Sequence, residues 1–224
     1  MRAANPGKRV TGRSAPTRKG STQAEKSIRR LRRSQLPSET TKLARYLIGK
    51  TVVHDRAHGR LAGRIVETEA YPVGDAAGHA FSGLSAANRS LFLPRGHAYV
   101  RLTYGSCWIF NVSSETRGMG AGVLIRAIEP LEGIGQMMRL RRVSRVVDLA
   151  RGPGRLSEAL QINKHFDGVD LCDSSSPLWL GTAARPTGTI GVSTRIGLSR
   201  EAHRKLRFYE RGNHYVSGPR RLRR

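Results

Sequence analysis

A chain of 224 residues is long enough for one sizeable hydrophobic core and short for two large domains. Its 40 Lys and Arg against 16 Asp and Glu leave a formal charge of +24, a surface that repels itself unless it meets a polyanion. The sequence has no run of about 18 apolar residues, which argues against a membrane span, and its two cysteines, Cys107 and Cys172, lack the spacing of a disulfide scaffold or a zinc site. What remains is an intracellular, reduced protein whose first expected partner is nucleic acid.

Residues 1–36 carry eleven Lys or Arg against one acid, Glu25, and little that could form a core, so they read as a basic disordered arm. Such an arm adds non-specific phosphate contacts; its Arg- and Ser-rich, acid-poor makeup also fits an organelle transit peptide. The ordered domain is expected over residues 37–218, with a basic tail over 219–224. Pro37-Ser38-Glu39 precedes Leu43, Ala44, Leu47 and Ile48 at helical spacing, and Gly49 stops the run. From Thr51 the period changes. Thr51 to His54, Gly63 to Tyr71, His97 to Tyr104, Cys107 to Val112 and Gly122 to Ile128 read as strands. Helical spacing returns over Leu131 to Arg142 and Leu156 to Ile162. A late β pair, Thr189 to Arg195 and Phe208 to Val216, flanks an expected short helix at Ser199 to Lys205. The predicted class is α+β, one domain with a curved, mainly antiparallel sheet and flanking helices.

Three stretches ask for a chemical explanation. In Arg64-Ile65-Val66-Glu67-Thr68-Glu69-Ala70-Tyr71, alternation puts Glu67, Glu69 and Tyr71 on one face, with the carboxylates about 7 Å apart. That face is either a solvated polar side or a pocket in which one carboxylate serves as a general base. Arg126 interrupts the apolar run Val123 to Ile128, and a buried guanidinium must find an acceptor. A structural ion pair and a functional one are equally open there. Tyr104-Gly105 places an aromatic at a strand end; it is either core or a wedge for a base stack. Composition and spacing alone stop at a basic α+β nucleic-acid-binding domain.

Taken together, RIVETEAY (64–71), His79, Asn88-Arg89, Tyr104-Gly105, Asn111-Val112-Ser113 and VLIRAIEPLEG (123–133) closely resemble the alkyladenine, or 3-methyladenine, DNA glycosylase family. Gly152-Pro153-Gly154-Arg155-Leu156, Ala159 to Lys164, Phe166-Asp167-Gly168, Arg207-Phe208-Tyr209 and Val216-Ser217 extend the resemblance, in order, from about residue 40 to about 218. The resemblance implies a monofunctional base-excision-repair glycosylase acting on duplex DNA with alkylated or deaminated purines. It implies Glu69 as general base and Arg126 as the residue that helps hold the attacking water. Tyr71 and His79 would grip the flipped base, Asn111 would restrict purines with an exocyclic group, and Tyr104 would fill the gap in the helix. Arg89, Gly154 and Lys164 are expected on the DNA backbone, Gly154 because the segment Gly152-Pro153-Gly154 opens a helix.

No catalytic lysine matches the pocket, so hydrolysis is expected rather than lyase chemistry. Neither a metal nor another cofactor is expected, since none of the seven histidines has ligand spacing. The protein is expected to act as a monomer, without a membrane, alongside DNA in the bacterial cytoplasm or, if the arm directs it, an organelle. The competing reading is a non-catalytic basic nucleic-acid-binding module, which explains the charge but not Glu69 and Arg126 in apolar strands. One departure bears on substrate: Arg101 stands where the family often places a second stacking aromatic, and Ser106 and Cys107 replace bulkier residues. A guanidinium there either opposes a cationic base or points to a phosphate.

Overall fold

Segments rich in Val, Ile and aromatics pair into eight strands, all antiparallel, in the computed structural model, which describes Met1 and residues 28–103 and 105–219. The strands are β1 (Thr51–His54), β2 (Leu61–Tyr71), β3 (Ala98–Thr103), β4 (Cys107–Ser113), β5 (Gly122–Glu132), β6 (Leu178–Gly181), β7 (Ile190–Ser193) and β8 (Arg207–Glu210). The main path runs β3-β4-β5-β2-β1-β6. β2 is long enough to hold two partners along its other edge, β1 on residues 61–64 and β8 on residues 67–69, and β7 extends the sheet beyond β8. The predicted α+β class and curved antiparallel sheet hold.

Three helices flank the sheet: α1 (Thr40–Leu47), α2 (Ile134–Arg141) and α3 (Pro153–Ala159). In α1, Leu43, Ala44 and Leu47 are buried, and the Glu39 carboxylate caps the start by accepting from Thr41 N–H (2.6 Å) and Lys42 N–H (2.9 Å). Gly49 ends the turn at φ +87°, a conformation glycine adopts without strain. The largest apolar cluster joins α1, α3 and one side of the sheet through Leu43, Leu47, Ile65, Phe110, Ile125, Leu156 and Phe208.

The sheet bends at breaks in register between β2 and β5. Ile65 pairs with Ile128 and Glu67 with Ala127, which leaves Val66 as an extra residue on β2; Thr68 then pairs with Ile125, which leaves Arg126 extra on β5. Bulges of this kind bend a strand and re-aim its side chains. Two successive ones lie where the acidic and basic residues meet.

Several boundaries differ from the sequence reading. Residues 28–36, expected in the arm, pack on the domain: Leu31 and Leu36 are buried, Leu31 N–H donates to the Leu180 carbonyl (2.8 Å), and the Arg30 guanidinium lies 4.5 Å from the Trp179 ring centre. Arg30, Arg32 and Arg33 surround Leu31, so charge hides its apolar anchoring in a composition count. The expected arm over residues 2–27 and the tail residues 220–224 lie outside the described residues. No helix forms at Ser199 to Lys205, where turns run with Glu201 at φ +52°; Ala202 is its only apolar residue and is exposed, so a helix would bury nothing. The late strands are shorter than expected because Arg211 and Gly212 turn the chain away after Glu210. β5 continues through Pro130 to Glu132, so α2 begins after Gly133 rather than at Leu131. β6 is an addition. Leu178–Gly181 is too short to display a period, and its strand character comes from pairing with β1.

Candidate active site

Glu67 and Glu69 are fully buried, which removes the solvated-face alternative for this side of β2. Arg126 reaches both: its Nε donates to Glu67 Oε1 (3.0 Å) and its Nη1 to Glu69 Oε2 (3.2 Å). The two acids are not equivalent. Glu67 Oε1 also accepts from Arg207 Nε (2.7 Å) and Ser217 Oγ (2.9 Å), and Oε2 from Ser217 N–H (2.6 Å). Three of those four donors converge on Oε1 and one reaches Oε2. Glu69 has three: Arg126 and the Tyr71 hydroxyl (3.0 Å) on Oε2, and Ile196 N–H (2.8 Å) on Oε1. Among the described residues, one acceptor position on Glu69 remains.

Burial raises the pKa of Glu69 above the ordinary carboxylate range, and the nearby Glu67 adds to that. Arg126, Ile196 N–H and the Tyr71 hydroxyl pull the other way without cancelling it. A base of raised pKa takes a proton more readily once ionised. Arg126 is kept charged in spite of burial by Glu69 and Glu67.

In front of this cluster lies a cavity of about 180 Å³, lined among others by Tyr71, His79, Tyr99, Asn111, Leu124 and Arg126. Glu69 sits behind Tyr71 and Arg126 rather than in the wall itself. His79 Nδ1 lies 3.1 Å from the Tyr99 hydroxyl, with the rings edge to face at 5.9 Å. Burial and then the Arg101 charge lower the His79 pKa, which keeps the imidazole neutral. Asn111 donates to the Tyr99 carbonyl (3.3 Å) from β4, directly across from Tyr99 on β3. The fold therefore brings Glu69, Arg126, Tyr71, His79 and Asn111 together.

The remaining expected residues stand apart from the cavity. Arg89 is exposed at the start of a 3₁₀ turn (Arg89–Phe92) whose Leu91 does line the cavity, and Lys164 is exposed at the start of another (Lys164–Phe166). Gly154 lies in the first turn of α3, where a Cβ would stand 3.1 Å from Cys107 Cβ; close packing of helix on strand accounts for the glycine. Tyr104 lies outside the described residues.

Sequence reasoning missed what holds the cavity in shape. Arg195 and Asp75 are buried and joined by two hydrogen bonds (2.6 and 3.0 Å); Arg195 also donates to the Ala70 carbonyl (2.9 Å) and lies over the Tyr71 ring at 4.5 Å. One guanidinium thus ties together the end of β2, the loop that carries His79 and the segment that carries Ile196. The Asn88 amide closes the same loop by donating to the carbonyls of His79 and Gly83 (both 2.9 Å). Asp75 and Arg195 lie in turn-rich segments far apart in the chain, where periodicity carries no signal; Asn88 was legible only as part of a motif. Among the described residues, no three His, Cys, Asp or Glu side chains come together as a metal site would need, and no helix is long and apolar enough to cross a membrane.

A buried carboxylate and arginine behind a cavity walled by aromatics and His, on a highly basic chain, are features that a base-flipping DNA glycosylase would use. Residues 34–214 match the model of the family described as Methylpurine-DNA glycosylase (MPG). A protein of Mesorhizobium japonicum is 61% identical over 85% of this chain and 91% of its own length. One of Paraburkholderia phytofirmans is 55% identical over 86% and 90%, and one of Methanoculleus marisnigri 41% over 80% and 94%. All three carry the name "Putative 3-methyladenine DNA glycosylase". The chain belongs to the methylpurine-DNA glycosylase family and is a base-excision-repair DNA glycosylase.

Proposed function

We propose that the protein takes alkylated or deaminated purines out of duplex DNA and hydrolyses their N-glycosidic bond with water activated by Glu69, leaving an abasic site. The observation that carries this reading is Glu69 itself, buried, joined to Tyr71 and Arg126 of the cavity wall and held by fewer donors than Glu67. Water attacks C1′ of the sugar as the bond to the purine nitrogen breaks; the bonding electrons leave with the base, and the water proton goes to Glu69. An alkylated purine is already cationic and departs neutral. A neutral purine takes up one proton at a ring nitrogen from solvent as it leaves, which balances the proton that the attacking water gives up. No lysine lines the cavity among the described residues, which favours hydrolysis over a Schiff-base route.

The names of the relatives point to 3-methyladenine as one substrate. Tyr71 and His79 grip the extruded base, Asn111 screens its exocyclic groups, and Arg126 helps hold the water. We assign Tyr104 to the gap left in the helix, and Arg89, Lys164 and the Gly154 turn to backbone phosphates. The protein works as a monomer, without a metal, wherever its DNA lies.

The test is release of free base from duplexes carrying hypoxanthine, ethenoadenine or methylated purines, with wild type and Glu69→Gln side by side. Wild type is expected to release at least one of them, and Glu69→Gln to be slower by at least about 10²-fold with DNA binding retained. Equal rates remove Glu69 from the mechanism. No release by a folded, DNA-binding wild type returns the protein to a non-catalytic binding module. Borohydride trapping of a covalent adduct would overturn the hydrolytic route.

A further inference from the structure

Arg126 lines the cavity, Arg195 is joined to the wall residues Asp75 and Tyr71, and Arg101 stands on β3 between two wall residues; the three differ in how they are neutralised. Arg126 is bound by Glu67 and Glu69, and Arg195 by Asp75. Arg101 has no carboxylate partner among the described residues; its charge acts on Tyr99 and on His79. Asp167, which also acts on Tyr99, is held by Val100 N–H (3.0 Å) and Ser90 Oγ (2.9 Å).

Arg101 stands between Tyr99 and Thr103 on one face of β3, and opposite Ile109 of β4; those three residues all line the cavity. Among the described residues, Thr103 Oγ1 is buried there without a hydrogen-bond partner. This wall therefore offers an unused hydroxyl, with a cation that lacks a carboxylate partner on the same strand face, on the side of the cavity that holds His79. A buried polar atom left unpaired costs stability, which a suitably placed acceptor on a bound base would recover.

Resting on the proposed glycosylase reading, we infer that the β3 wall, through Arg101 and Thr103, selects neutral deaminated purines over cationic alkylated ones. The carbonyl oxygen of hypoxanthine is the kind of acceptor that wall can serve, whereas an alkylated purine brings a second positive charge into a site of low dielectric. Discrimination then has an attractive element and a repulsive one, as a specific site needs. The neutral state of His79 beside Arg101 agrees with a region that already disfavours another cation.

The full chain should be compared with Arg101→Gln and Arg101→Lys in single-turnover excision from two duplexes that differ only at the lesion, hypoxanthine or 7-methylguanine. The readout is the ratio of the two rates, from which any loss of general DNA binding cancels. Wild type is expected to favour hypoxanthine over its rate on the cationic lesion. Arg101→Gln should move the ratio toward 7-methylguanine by about 10-fold, and Arg101→Lys, which keeps the charge, should stay close to wild type. A ratio unmoved in Arg101→Gln, or moved as far in Arg101→Lys, overturns the role of the Arg101 charge while leaving the glycosylase reading intact. Release of neither base by wild type overturns both.

Discussion

Strand β2 carries a buried network of arginine and carboxylate toward each end, and the two behave in opposite ways. At the first, Arg64 donates to Glu210 through Nη1 (2.5 Å) and Nη2 (2.8 Å), while Gly188 N–H and Asn213 Nδ2 add bonds of 2.8 Å each. Burial alone would raise the Glu210 pKa, but these donors outweigh it and push it down to about 2. At the second, Glu69 has fewer donors in deeper burial, and its pKa rises. The same pair of residue types is thus a brace in one place and, in the proposed mechanism, a base in the other. Donor supply relative to burial decides which.

Glu69→Gln should break the reactive end and spare the fold, with the loss of at least about 10²-fold in excision given above. A carboxylate of raised folded pKa contributes stability only at low pH and loses it as pH rises through that value, so this variant should melt no lower than wild type at neutral pH. A clear drop in its melting temperature would mean that Glu69 braces the fold after all.

Glu210→Gln should do the reverse. It leaves Arg64 short of a charge partner in the interior, and losing one member of a buried pair costs about 3–5 kcal/mol. Denaturant melts read that loss, while excision per folded molecule stays near wild type. The depressed Glu210 pKa adds stability above the unfolded value of 4.5 that fades as pH falls toward about 2. Wild type should therefore lose this share of stability over that window, and Glu210→Gln should lack that part of the slope.

Arg195→Lys keeps a charge but not the flat, two-pronged grip on Asp75 or the stack on Tyr71. Loosening the segment that presents Ile196 N–H should lower single-turnover excision by about 10-fold, since small misplacements of reacting groups are costly. An unchanged rate would show that Ile196 is held some other way.

The smallest expected effect concerns pH. Glu69 must be ionised to accept a proton, so the acid limb of excision should lie above the ordinary glutamate value of 4.5. Tyr71→Phe keeps the ring but removes a donor to the ionised carboxylate, and should move that limb to higher pH. A limb that stays in place or moves down would exclude the hydroxyl as a support for the charge.

Much of this was legible in the sequence. Alternation placed Glu67, Glu69 and Tyr71 on one face, and the apolar run around Arg126 demanded an acceptor, which the structure supplies twice. The difference between Glu67 and Glu69 was not legible, because the further donors to Glu67 come from Arg207 and Ser217, nearly the whole domain away in sequence. Asp75 and Arg195 were hidden for the same reason. The helix expected at Ser199 to Lys205 and the cut before residue 37 failed where charged residues dominate the count and one or two buried contacts decide the structure.

The extra residues at Val66 and Arg126 make this region sensitive to length more than to composition. A one-place slip in a strand turns every following side chain to the opposite face. Removing Val66 itself would only restore regular pairing, whereas removing a paired residue such as Thr68 would present Ala70 to the cavity side and turn Glu69 toward the apolar layer. The spacing from Glu67 to Tyr71 is therefore itself part of the site, as fixed a requirement as the carboxylate that it delivers.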